Sequence, residues 1–530
     1  MKFVILSYLF FFLLFPLQAQ ESTKVEKWSI YEDEYIAEGS VKDPFHFEFG
    51  AVFTHESDLK LEIPGFYNGN NYWLLRFSPS MEGRWFYKTF SSLEALSDKT
   101  ATIIVVETSD LEEHGPLIIS PENVQRFSYA DSSNYFLMAF ELDWLFALDW
   151  DNPDDIPKTK EIISEIKEHG FNQVIMNVYA YDASWGDREK IKPEYNFSKP
   201  TVYPFLGTNE NPDFSELNID FFKHLDRVME HLDDQEIVAH LMIYVWNKKV
   251  SWPEPSSEAD NMYFDYVVKR YQAYPNLVWD ISKEALAYGR DELGYISERI
   301  DRLRNLDGHV RLLTVHDYLY CSKYPEKVDF ISIQDWKPNL YDAMMEVARL
   351  HSDKPVFNIE HGGYEATQHY IFHGAYSDPL VCLDRNYQCV FAGTYSTYYW
   401  QNTSWYEVIY NPSSLPIENQ PKLDWYKRLK GLFLIYDFEK LEPVQYQFTP
   451  YCLTDHKSVY MFYIPEGMEL LTGEVAELKG KSVNVKWFDP LSGNLHLTEN
   501  RTFDNGIWLG FTKPDEIQSP FAVAILEVIN

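Results

Sequence analysis

Apolar residues along this chain follow two rhythms, and the rhythm changes twice. From about Val25 to Ser109, short apolar or alternating runs such as Phe45-His46-Phe47-Glu48-Phe49 and Tyr72-Trp73-Leu74-Leu75-Arg76-Phe77 are broken by turn clusters. Those clusters include Pro64-Gly65, Tyr67-Asn68-Gly69-Asn70 and Glu82-Gly83. Alternation with period two, punctuated this often, predicts an antiparallel sandwich of immunoglobulin type. From about Gly115 to Phe438, apolar runs of strand length alternate with amphipathic helical stretches. From about Leu441 to the end the short-strand texture returns, with Ser458 to Tyr463, Ser482 to Trp487 and Phe521 to Val528 as strands of a second small sandwich. Turns such as Pro465-Glu466-Gly467 and Leu491-Ser492-Gly493-Asn494 separate them.

The middle region carries eight strand candidates. They are Tyr135 to Phe140, Gln173 to Val178, Val238 to Tyr244, Leu277 to Ile281, Arg311 to Val315, Phe330 to Ile333, Pro355 to Ile359 and Val390 to Thr394. The helices between them keep a three-to-four spacing: Ile219, Phe222, Leu225, Val228 or Met229 and Leu232 follow Asn218, a good N-cap. Leu293, Ile296, Ile300 and Leu303 run to Gly308, and Ile162, Ile163 and Ile166 run to Gly170, an expected helix stop. Eight such units fit a closed (β/α)8 barrel, and the absence of a glycine-rich first turn speaks against a doubly wound sheet. The fold class is therefore α/β, a TIM barrel flanked by two β-sandwich domains. The expected boundaries are a signal peptide over 1–20, the first sandwich over 21–113, the barrel over 114–440 and the last sandwich over 441–530.

Composition changes this picture in four places. Lys2, the apolar run Phe3 to Leu17 and the small Ala19 before Gln20-Glu21-Ser22 have the layout of a secretory signal peptide, too short for a permanent span. The mature chain is expected outside the cytoplasm, periplasmic or extracellular, with no membrane anchor. A formal charge of −35 argues against a nucleic-acid partner. Aromatics make up 17% of residues, which fits either a large aromatic core or surfaces that stack on sugar rings. Cys321, Cys382, Cys389 and Cys452 read as packing residues, with Cys382 to Cys389 as one optional bridge.

Barrel chemistry sits at the C-terminal ends of the strands, so the residues after each apolar run are the candidates. In strand order they include Glu141, Asp143 and Trp144; Tyr181, Asp182 and Trp185; Trp246 and Asn247; Lys283 and Glu284; His316 and Asp317; Gln334, Asp335 and Trp336; Glu360 and His361; and Tyr398, Tyr399 and Trp400. Carboxyls for acid/base work, amides for hydroxyls and flat rings for stacking are what a sugar site needs. His361 beside Glu360 has no second histidine at metal-ligand spacing, so neither metal nor other cofactor is expected.

Two segments carry a family resemblance. Asn276-Leu277-Val278-Trp279-Asp280-Ile281-Ser282-Lys283-Glu284 resembles the fourth-strand acid/base motif of clan A glycoside hydrolases, and Lys354-Pro355-Val356-Phe357-Asn358-Ile359-Glu360 resembles their seventh-strand nucleophile motif. Trp400 resembles a tryptophan that floors the sugar subsite in that clan. Asp43-Pro44-Phe45, Ala51 to His55, Ile63 to Gly69 and Gly83-Arg84-Trp85 are similar to the domain preceding apiosidase-like barrels, and Trp487 to Gly493 resembles the small β domain that ends such proteins. The resemblance implies Glu284 as acid/base and Glu360 as nucleophile of a retaining glycosidase. Rim position makes Lys283, His316, Trp400, Trp246, Asp143, Asp182, Trp185, Asp335 and Trp336 the expected substrate contacts.

One departure stands out. Where clan A places asparagine before the acid/base, this chain has Lys283. A lysine there could pair with Glu284 and lower its pKa, or meet an anionic substrate such as a uronate or sulfated sugar. The leading expectation is an exported, retaining, exo-acting glycosidase on oligosaccharides from an acidic plant or algal polysaccharide. Elimination or dehydration of a sugar, with Lys283 or His316 as base, is the second reading. A non-catalytic glycan-binding barrel is the third.

Overall fold

A computed structural model describes residues 23–37, 41–183, 191–288, 292–366, 375–400, 406–504 and 506–529. The expected signal peptide lies outside the described residues, as does Trp185. Among the described residues no helix is long and apolar enough to cross a membrane.

The barrel is a single parallel sheet of eight strands: β1 (Ala139–Glu141), β2 (Gln173–Asn177), β3 (Val238–Val245), β4 (Leu277–Lys283), β5 (Leu313–His316), β6 (Ile331–Gln334), β7 (Val356–Glu360) and β8 (Tyr395–Tyr398). Its order, β5-β4-β3-β2-β1-β8-β7-β6, brings the first and last strands together and the sheet nearly closes. These strands are buried along almost their whole length, which explains why they read as continuous apolar runs.

Among the described residues eight helices wrap the sheet: α1 (Pro157–Glu168), α2 (Ile219–Asp234), α3 (Glu258–Tyr271), α4 (Leu293–Leu306), α5 (Tyr318–Lys323), α6 (Leu340–Leu350), α7 (Pro379–Phe391) and α8 (Leu423–Ile435). The Asn218 side chain caps α2 by accepting from the Phe221 amide, as its position predicts. That helix buries Phe221, Phe222, Leu225, Val228, Met229 and Leu232, each contributing about 1.5–3 kcal/mol. A hairpin of Phe205–Thr208 and Asn211–Leu217 sits between β2 and α2 and has no counterpart in the sequence reading.

Two expectations are corrected. The eighth strand is Tyr395–Tyr398, whereas Val390 and Phe391 end α7 and are buried there. A short apolar run reads alike as helix end or strand, and Gly393 at φ 75° marks the boundary. Cys382 and Cys389 do not bridge: all four cysteines are free and buried. Seven residues along one helix separate that pair by about 10 Å of rise, beyond disulfide reach.

The N-terminal region packs a five-stranded sheet on a three-stranded one. Thr23–Glu26 joins the larger sheet in parallel to Thr100–Val106, so this sandwich is mixed at one edge. The C-terminal region has a six-stranded antiparallel sheet and a two-stranded ribbon, Leu470–Glu474 with Trp508–Thr512.

An ion cluster ties the first sandwich to the barrel. Asp226 of α2 receives Arg270 of α3 at 2.8 and 2.6 Å and Arg76 of the sandwich at 3.3 and 2.8 Å. Burial pushes the Asp226 carboxyl up, but Arg270 and Arg76 outweigh it and hold it at about 2. The folded value lies below the ordinary 3.8, so the stabilisation is complete above that value and is lost as pH falls towards about 2. Asp226→Asn, which leaves buried Arg270 without a carboxylate and Arg76 with Glu32 alone, is expected to cost about 3–5 kcal/mol in denaturant unfolding at pH 7, with a smaller difference from wild type below pH 4. Equal stability at pH 7 would show that the cluster does not join the two regions.

Candidate active site

Lys283 ends β4 and Glu284 follows it; Glu360 ends β7. Successive strand residues face opposite sides, so an extended Glu284 would point away from Lys283. Instead Glu284 adopts φ 57°, a left-handed conformation that costs a non-glycine residue about 1–3 kcal/mol. The turn brings both side chains to one cavity of about 500 Å³ at the C-terminal end of the barrel. His316 from β5, Gln334 and Trp336 from the end of β6 and Glu360 from β7 complete its core, and Lys248 and Tyr364 join its wall.

Lys283 does not pair with Glu284. Its ammonium, 1% exposed, lies 3.0 Å from Glu360 Oε1, 3.1 Å from Glu141 Oε1 and 3.5 Å from Asp143 Oδ2. Burial pulls the Lys283 pKa down, but Asp143, Glu141 and Glu360 outweigh it and raise it well above its ordinary value. Lysine in this position is therefore a cation that holds Glu360 from behind. Tyr364 donates to Glu360 Oε2 at 3.1 Å from the other side.

Glu284 is held differently. The Gln334 amide donates to its Oε1 at 3.2 Å and contacts His316 Nε2 at 2.8 Å. Burial, and then the charge of Glu360, raise the Glu284 pKa; Lys283, Gln334 and Lys248 oppose this without reversing it. The expectation that Lys283 would depress Glu284 is thus overturned, because the neighbouring carboxylate and loss of water win. His316 is pushed well below its ordinary value by burial and by Lys283, His240 and Lys248, which keeps the imidazole neutral. Lys248, also buried, has Asp143 at 3.6 Å, and its pKa is lowered by burial despite that partner.

Of the residues expected at the site, Lys283, Glu284, His316, Trp336 and Glu360 line this cavity. Asp143 stands just behind it, shared by the two lysines. Asp182 and Asp335 are buried against Lys249 and Lys337, at 3.6 and 2.9 Å, and do not line it. Trp246 stacks on Tyr244, with centroids 5.6 Å apart, and Trp400 is 1% exposed; neither ring belongs to the cavity wall. Lys248 and Tyr364 were not singled out by sequence, since each lies in a loop after its strand without a motif. Among the described residues no group of three or more His, Cys, Asp or Glu side chains is arranged to hold a metal ion.

Comparison with known proteins follows the same lines. Residues 122–431, more than half of the chain, match the apiosidase-like catalytic domain, and residues 24–92 match a domain of unknown function, DUF5060. A crystal structure from Bacteroides vulgatus ATCC 8482 superimposes with a TM-score of 0.75 at 18% identity, covering 96% of this chain and 100% of its own. A glycoside hydrolase family 5 structure from the same organism gives 0.56 at 16% identity, covering 78% of this chain and 93% of its own. At these identities both show a shared fold. A comparison with curated proteins finds no match.

Proposed function

This chain belongs to the apiosidase-like catalytic domain family and is a glycosidase, and from that premise we propose that it is an exported, retaining, exo-acting enzyme on oligosaccharides from an acidic plant or algal polysaccharide. Glu284 protonates the departing glycosidic oxygen while Glu360 attacks the anomeric carbon; water then resolves the glycosyl-enzyme with Glu284 as base. The observation that carries this reading is the opposite treatment of two carboxyls on one cavity. Glu360 is held by an ammonium and a phenol, which suits a nucleophile that must be ionised. Glu284 is raised by burial and by Glu360, which suits an acid that must keep its proton.

The exo mode is proposed from a cavity of small-ligand size, about 500 Å³. The acidic substrate is supported by a second lysine on the wall, Lys248, which shares Asp143 with Lys283. Export rests on the amino-terminal sequence.

Sugar elimination is the alternative, favoured by a buried, neutral His316 on the cavity wall, 3.7 Å from Glu360. Screening nitrophenyl glycosides and acidic oligosaccharides, with product masses, separates the two. Hydrolysis adds one water across the products, and products without that water would overturn the proposal.

The pH profile is a further test. Activity requires protonated Glu284, so kcat/KM falls as pH rises through its raised pKa, above the ordinary 4.5. Gln334→Ala removes a hydrogen bond that favours the charged carboxylate, so its alkaline limb should move to higher pH. An unmoved or lower limb would contradict the role of Gln334.

A further inference from the structure

A second cleft lies on the outer flank of the barrel, between the first sandwich and α3. Its volume is about 420 Å³, close to that of the catalytic cavity. Phe45, Phe66 and Tyr67 come from the sandwich, Tyr266 and Lys269 from α3, and Arg302 from α4. The half-buried Phe45 ring meets Tyr67 at 90° and 5.3 Å, and Tyr266 at 75° and 5.6 Å. Such a corner offers ring faces at two angles to a bound ring.

Lys269 is the unusual member. Asp265 precedes it by one helical turn on α3 and would ordinarily pair with it. Arg302 takes both oxygens of that carboxylate in a fork, with Nη2 to Oδ2 at 2.7 Å. Lys269 is therefore left half-buried, and no hydrogen bond or ion pair joins its ammonium to any described residue. Burial lowers its pKa and Arg302 adds to this, with Asp265 and Glu48 opposing. In a chain with a formal charge of −35, a desolvated cation without a partner is out of keeping with its surroundings.

We propose that this cleft is a second saccharide site, taking a sugar that bears a carboxylate or a sulfate, with the anion on Lys269 and the sugar ring against the Phe45–Tyr67 corner. The site is separate from the catalytic cavity and would hold the polymer while its end is processed. It does not depend on the assignment of Glu284 and Glu360, because its readout is binding and not turnover.

The test is calorimetric titration of the full chain carrying Glu360→Ala with uronate oligosaccharides, sulfated oligosaccharides and neutral oligosaccharides of the same length. Binding of at least one acidic ligand is expected at this cleft, and Lys269→Met should weaken it by about 10–100-fold, the loss of one charge-assisted contact. A response to the uronate or to the sulfated ligand identifies the anion; a response to neither, or equal binding of the neutral ligand, overturns the proposal. Melting of Lys269→Met guards against a structural explanation. Removing a desolvated cation should leave Tm unchanged or raise it, and acidic ligand should raise Tm of the parent more than that of the variant. A lower Tm for the variant, or binding identical to the parent, would assign Lys269 to packing alone.

Discussion

Glu360→Ala is expected to lower kcat/KM on an activated aryl glycoside by at least about 10⁴-fold, the scale on which loss of a nucleophile acts. The side chain's neighbours explain why no other group would replace it. Lys283 and Tyr364 both aim at its two oxygens, at 3.0 and 3.1 Å; in the variant Lys283 keeps Glu141 and Asp143, and no carboxylate takes the place of Glu360. Glu141 is too deeply buried to substitute: burial and then Asp143 raise its pKa well above the ordinary value, so it is a poor anion. Steady-state kinetics of the purified variant provides the check, and residual activity within tenfold of wild type would remove Glu360 from the chemistry. Folding should be unharmed, because a carboxylate beside a still-compensated lysine is removed, and not the lysine itself.

The second large effect concerns Lys283. Lys283→Met keeps the volume but leaves Glu141, Asp143 and Glu360 facing one another without their shared ammonium. Breaking a buried ionic set from one side costs about 3–5 kcal/mol, well above what surface pairs contribute. Raised above its ordinary value in the fold, the Lys283 pKa gives a contribution that is complete below about 10.5 and lost only above it. The pH dependence of the variant therefore comes from its orphaned carboxylates. They protonate as pH falls, so the deficit against wild type should be larger at pH 8 than at pH 5. Denaturant unfolding at the two pH values measures this, and a deficit that does not change with pH would mean that the three carboxylates do not lean on Lys283. Activity should fall as well, because Glu360 loses the ammonium that holds its Oε1 at 3.0 Å.

Sequence reading reached the barrel and both glutamates because those signals are local. An apolar run ending in a carboxylate marks a strand end, and the order of eight runs fixes which ends share a rim. Residue direction is not local in this sense. Lys283 and Glu284 are neighbours in sequence, yet a left-handed turn at Glu284 sends the lysine to β1 and β7 and the glutamate to Gln334 on β6. No spacing rule announces such a turn at a non-glycine residue. Asp182 and Asp335 follow their strands as well as His316 does, but each turns to a nearby lysine. Trp400 carries the right residue type near the right strand and is buried in the core all the same. Tyr364 sits four residues beyond Glu360 in a loop, where only the folded chain returns it to the carboxylate. The boundary of β8 was missed for a simpler reason: Val390-Phe391 is apolar on account of the helix it ends, not the strand that follows.

Glu360 as nucleophile forms a covalent bond to the anomeric carbon, and that bond can be trapped. A set of 2-deoxy-2-fluoro glycosides with activated leaving groups, uronates included, would trap the intermediate for peptide mapping by mass spectrometry. The expected result is one glycosyl adduct per chain, on the peptide containing Glu360, and none in Glu360→Ala. An adduct on any other side chain, or turnover of the corresponding 2-hydroxy glycosides with inversion of anomeric configuration, would contradict it.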